Sequence, residues 1–116
     1  MRLLAIVLSA VVGVTAVAQQ QVYDPGNGVT LPVVVKEVKP AYTPRAMAAR
    51  IEGSVLLRTV VLADGSVGDV EVVKSLDPEL DEQASNALKQ WEFKPGTRAG
   101  KPVAVRIHCE LTFTLK

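Results

Sequence analysis

The chain is 116 residues long, enough for one ordinary domain and too short for two. Of its 13 basic groups, Arg2 falls in an apolar leader, and the remaining 12 balance 12 acidic ones; with no basic run, this composition argues against a nucleic-acid partner. Cys109 is the lone cysteine and His108 the lone histidine, and with no CxxC, HExxH or acidic cluster beside them a disulfide framework is excluded and a zinc or copper site lacks ligands.

In chain order, the first segment carries Arg2, an apolar run from Leu3 to Val14 and the small-x-small triplet Ala16-Val17-Ala18. It reads as a secretory signal peptide over residues 1–18, cut after Ala18, and so as a sign of export. The rival reading is an uncleaved N-terminal anchor, since Leu3–Ala18 approaches the roughly 17–20 residues that span a bilayer. Residues 19–38 read as a linker: a Pro-Gly-Asn-Gly cluster within Gln19–Pro32 marks turns. Val33–Val38 could add a short strand, stopped by Pro40 and Pro44.

Pro44–Arg50 is rich in helix formers, and Pro44 suits a first helical turn; Ala46, Met47 and Ile51 are expected to face a core. Ser54–Leu62 is β-branched and apolar, and Asp64-Gly65 before Val67–Ser75 predicts a hairpin, with Val70 and Val72 on one face of the return strand. A second helix is predicted over 77–92, with Asp77 as N-cap, Pro78 in the first turn and Leu80, Ala84, Ala87, Leu88 and Trp91 at the spacing of one face. Leu80, Ala84, Leu88, Trp91 and Phe93 are the predicted core, with Trp91 as its anchor.

From Val103 to Leu115 the pattern alternates without a break. Val103, Val105, Ile107, Cys109, Leu111, Phe113 and Leu115 lie on one side; Ala104, Arg106, His108, Glu110, Thr112 and Thr114 lie on the other, which denotes a half-buried strand. Cys109 is thereby a packed thiol and His108 a solvent-facing side chain. The predicted fold is α+β, in the order α-β-β-α-β: a small three-stranded antiparallel or mixed sheet packed by two helices. The last strand pairs beside the first and lies at an edge, where unpaired backbone groups can accept a further strand.

No catalytic constellation emerges. Ser75 and Asp77 are near each other, but the histidine lies on a distant strand, and Asp77, Glu79, Asp81 and Glu82 are explained by capping and the helix dipole. A binding module rather than an enzyme is expected, with no cofactor and no metal. An exported enzyme or small metal carrier would instead lose activity or metal on changing His108 or Cys109.

Pro40-x-Tyr42, Ala46, Gly53, Asp64-Gly65, Ser75, Asp81-x-x-Ala84, Trp91-x-Phe93-x-Pro95, Gly100-x-Pro102 and the closing alternating strand together resemble the C-terminal domain of the TonB family. The resemblance runs from about Val38 to Lys116, which makes 39–116 the domain. It implies a periplasmic adaptor of a Gram-negative envelope, an energy transducer that grips the short N-terminal box of an outer-membrane transporter and transmits force from an inner-membrane motor. Recognition in that family is by strand addition at the last strand's edge, helped by the segment around a Tyr-Pro pair. Carried over by motif, the partner-binding candidates are Tyr42, Thr43 and Pro44, and the edge around Arg106, His108 and Glu110; Tyr42 has the alternative of a packing residue at the entrance to the first helix.

Two departures qualify what is implied. Thr43 stands where many members carry proline. Transducers also carry an inner-membrane helix with a functional histidine and a long Pro-rich spacer, which this sequence lacks; residues 19–39 stretch at most about 70 Å, so the expectation is that this chain alone does not carry force from an inner-membrane motor. The partner is then an outer-membrane transporter or another envelope protein offering an extended peptide. A different class of function is a self-associating structural or assembly module, a homodimer through Leu56, Val60 and Leu62 on the outer side of the first strand, unless Val33–Val38 covers that patch.

Overall fold

The computed structural model describes residues 21–115; the expected leader at 1–18 lies outside them. The elements are β1 (Val22–Tyr23), β2 (Val33–Lys36), α1 (Pro44–Ala48), β3 (Gly53–Val61), β4 (Val67–Lys74), α2 (Pro78–Leu88), β5 (Glu92–Lys94), β6 (Thr97–Arg98), β7 (Lys101–Pro102) and β8 (Ala104–Phe113). The expected α-β-β-α-β order is preserved in α1, β3, β4, α2 and β8. Short strands are added around it.

Local chemistry sets the helix boundaries. Thr43 caps α1, its Oγ1 accepting the Ala46 N–H, with Pro44 in the first turn where a missing N–H costs nothing. The helix then ends through Arg50 at φ 56. Ala46 is fully buried, whereas Met47, expected beside it at the core, is 48% exposed; so short a helix presents one inward position, and Ala46 occupies it. Asp77 caps α2 by accepting the N–H groups of Glu79 and Leu80, and Leu80, Ala84, Ala87 and Leu88 form its buried stripe. The helix stops at Leu88 rather than 92 because the chain must become extended at once: β5 pairs antiparallel with β2, and the Phe93 N–H donates to the Gly65 carbonyl.

The main sheet has the order β1-β8-β3-β4. β3 and β4 form the hairpin, and β8 runs antiparallel to β3 in unbroken register from Gly53↔Phe113 to Val61↔Val105. Val55 and Leu57 from the inner face cluster with Leu80 and Leu88 of α2, and these four are fully buried, as are Val61 and Val105. Thr59, the buried polar residue of that face, donates from Oγ1 to the Asp69 carbonyl, so its burial costs little. The outer face alternates: Leu56 lies opposite Glu110 and Lys74, and Val60 opposite Arg106. Val33–Lys36 does not cover that patch, because it is paired with β5.

The hairpin tip supports the lead-in segment. Gly65 has φ +90, and a Cβ there would meet the Phe93 carbonyl oxygen at 2.1 Å. Gly65→Ala is therefore expected to cost roughly 1–3 kcal/mol through left-handed strain and overpacking, read as a lower Tm. An unchanged Tm would contradict the seating of β5 on this turn.

Candidate functional site

The site is built on β8. One side of this strand is consumed by β3 along its length. The other side carries β1, which runs parallel to it and pairs only Val22 with Ala104 and Tyr23 with Val105. Among the described residues no strand pairs with that side beyond Val105. The last strand is thus an edge over most of its length, as expected, but its first two residues are already covered by the protein's own backbone. The backbone groups of Ile107–Phe113 that face away from β3 form a rim open to a partner.

The sheet's other edge is differently made. β4 breaks register twice against β3 and carries Asp69, Glu71 and Lys74, features that blunt strand addition. β8 lacks such breaks, so of the two edges it is the regular template.

Side chains around the rim fall into two groups. On the outer face, the Arg106 guanidinium lies 2.6 Å from the Asp24 carboxylate, which ties down the chain just after β1. His108 is exposed and lies across from Arg58, whose guanidinium is engaged by Glu71 at 2.6 Å. Glu110 is exposed as well. On the inner face, burial raises the Cys109 pKa, which keeps its thiol protonated and unreactive. Among the described residues no group of three or more His, Cys, Asp or Glu side chains could hold a metal ion.

Tyr42 meets the far end of the strand. Its ring packs edge-on against Phe113, with centroids 5.3 Å apart, and its hydroxyl donates to the Ile51 carbonyl. Thr43 and Pro44 are engaged in the start of α1, and the Thr43 hydroxyl also donates to Glu79 at 2.7 Å. The six candidates are therefore not one cluster: Tyr42 stands at the Phe113 end, while Arg106, His108 and Glu110 line the outer face. Val22, Tyr23 and Asp24 were not associated with the rim by sequence; the Arg98 guanidinium over the Tyr23 ring, 5.1 Å from its centroid, helps hold them there.

The predicted core residues divide as well. Leu80, Ala84 and Leu88 are fully buried and Phe93 nearly so. Trp91 is half-buried at the margin of the cluster. Its indole N–H donates to the Val38 carbonyl at 2.8 Å, so it fastens the lead-in to the end of α2.

The starts of the two helices are joined by charge. Arg45 makes a two-point contact with Asp77 at 2.5 and 2.7 Å and reaches Glu79 at 3.0 Å. The hydrogen bond from Arg45 lowers the Asp77 pKa most, against the desolvation that raises it. A folded-state pKa below the unfolded value gives stability that is present above the unfolded value, about 3.9, and lost as pH falls through the folded one. Asp77→Asn should thus lower Tm at neutral pH, and the gap from the parent should narrow in acid below that range. A gap of constant size would contradict the ionised pair.

The family model described as the Gram-negative bacterial TonB protein C-terminal matches residues 38–115. The chain belongs to this family. It is 36% identical over 85 residues to Protein TonB of Vibrio cholerae, an alignment covering 72% of this chain and 35% of that protein. Against Protein tonB2 of Pseudomonas aeruginosa it is 46% identical over 63 residues, covering 53% and 23%. The chain thus spans about a third or less of the length of these curated relatives.

Two solved structures are similar in fold. The solution structure of the Pseudomonas aeruginosa TonB C-terminal domain superposes with a TM-score of 0.62 at 23% identity, covering 85% of this chain and 97% of that one. The Helicobacter pylori TonB C-terminal domain gives 0.50 at 29% identity, covering 66% and 70%. Both agree with the α+β architecture.

Proposed function

We propose that this TonB-type domain is a periplasmic protein-binding module, without catalysis, that takes an extended peptide of an outer-membrane transporter or another envelope protein as an added strand on the rim of β8. The observation that carries the reading is the regular strand whose outer backbone groups are unpaired from Ile107 to Phe113. Membership of the family supports a part in energy-coupled transport at the envelope. The leader at 1–18 supports export, with residues 19–38 as the lead-in and 39–116 as the binding domain.

In this reading Arg106, His108 and Glu110 flank the guest strand on the outer face, and Tyr42, Thr43 and Pro44 stand at its far end. Backbone pairing would supply affinity, and side chains at alternate positions would supply selectivity. Self-association through Leu56 and Val60 is less favoured, because charged neighbours interrupt that patch.

An NMR titration of the labelled domain with the N-terminal peptide of an outer-membrane transporter tests the proposal. Amide shifts concentrated at 107–113 are expected. Shifts confined to β4, or a dimer that forms without peptide through the outer face, would overturn it.

A further inference from the structure

Beside the open rim lies a groove of about 320 Å³. Leu31, Pro32 and Val34 of the lead-in form one wall, Ile107 and Cys109 of β8 form the other, and Phe93 contributes to the lining. Asp24, Pro25, Arg106 and His108 complete the lining, with Asp24 and Arg106 ion-paired with each other. Leu31 is 60% exposed and Val34 44%, and the neighbouring Val33 and Val35 are exposed too. This is a concentration of apolar surface that a small domain ordinarily keeps covered.

We propose that this groove is a subsite for one aliphatic side chain of the guest strand, the one that points to the inner face of the sheet beside Ile107 and Cys109. The proposal rests on strand addition at β8 and gives it a register and a preference. Three observations set the occupant. First, β1 is itself a strand added to this rim; it stops at Tyr23, and the chain leaves the rim at Asp24, so the groove lies where a guest strand would continue along the same line. Second, successive residues of any added strand alternate between faces, so every second guest side chain at this end must enter the space bounded by Leu31, Val34 and Ile107. Third, a void of about 150 Å³ already holds a benzene-sized group, so the groove admits a leucine or isoleucine side chain together with part of the backbone that bears it.

The chemistry of the walls decides the class of residue. Leucine, isoleucine, valine and methionine would find apolar partners on both sides. A charged side chain would be desolvated there with Asp24 and Arg106 already satisfied by each other, and is disfavoured. The lead-in therefore acts as the specificity wall of an edge that would otherwise accept any extended backbone.

The test uses blocked heptapeptides of alternating threonine and serine that carry either leucine or alanine at the central position. NMR titration and fluorescence anisotropy would be run on the full domain and on Leu31→Asp. The leucine peptide is expected to bind about tenfold or more tighter than the alanine one and to shift resonances of Leu31 and Cys109 as well as the rim amides. Leu31→Asp, at an exposed position, is expected to keep the parent Tm and to lose the preference. Equal binding of both peptides at the rim would overturn the subsite and leave strand addition standing. Failure of either peptide, and of the transporter peptide, to perturb residues 107–113 would remove strand addition itself. A concentration-dependent dimer that Leu31→Asp dissolves would assign the groove to a second copy of the chain and overturn the proposal.

Discussion

Shortening Leu80 to alanine is expected to remove about 2–5 kcal/mol of folding stability, the range for a fully buried large-to-small change. Leu80 has no exposed surface and belongs to the cluster that joins α2 to Leu57, Val55 and Phe113 of the sheet. The space is only partly refilled, because its strand neighbours in the cluster are held in the β3–β8 ladder. A domain of this size has about 5–15 kcal/mol in total, so the change should bring the urea midpoint down steeply with the slope unaltered. A loss under about 1 kcal/mol would mean that α2 is not seated on this sheet.

The second large effect concerns the guest strand. If backbone pairing on β8 supplies the affinity, methylating two alternate rim-facing amides of a bound peptide removes two hydrogen bonds, each contributing about 0.5–1.5 kcal/mol. Binding should weaken by roughly 5- to 150-fold, read by anisotropy. Methylating the intervening amides, which would point to solvent, should change affinity little. Equal sensitivity at all positions would instead indicate docking through side chains alone.

Much of the fold was legible in the sequence because its main elements are long and periodic. The alternation from Val103 to Leu115 places most of β8: Val105, Leu111 and Phe113 are buried while His108 and Glu110 are exposed, but Ala104, expected on the outer side, is buried where β1 pairs with it. Asp64-Gly65 gave the hairpin, and Asp77 with the Leu80–Leu88 spacing gave α2 and its face. What was illegible involves two or three residues at a time. β1, β6 and β7 are two-residue strands, too short for any period to register. β5 overrode the tail of the predicted helix because its partner, β2, lies far earlier in the chain, and no local pattern around Trp91 reveals that.

The candidate site shows the same division. Which side chains of β8 face outward follows from alternation, but what shares its rim does not. Asp24 and Arg106 are 82 positions apart, and only tertiary pairing brings them together. Its place on the apolar stripe predicts Trp91 as a core anchor; its indole N–H needs a partner, and the one it finds, the Val38 carbonyl, keeps it at the margin. Tyr42 packs on Phe113, the contact its packing alternative calls for, and its part in binding a partner belongs to the proposal.

The account turns on where a guest backbone lies. Intermolecular NOEs between a transporter N-terminal peptide and the labelled domain would locate it directly. The account predicts backbone NOEs in a β-ladder pattern to residues 107–113, on the side of β8 away from β3. A bound peptide whose NOEs run to β4, or only to side chains of the outer face, would contradict it.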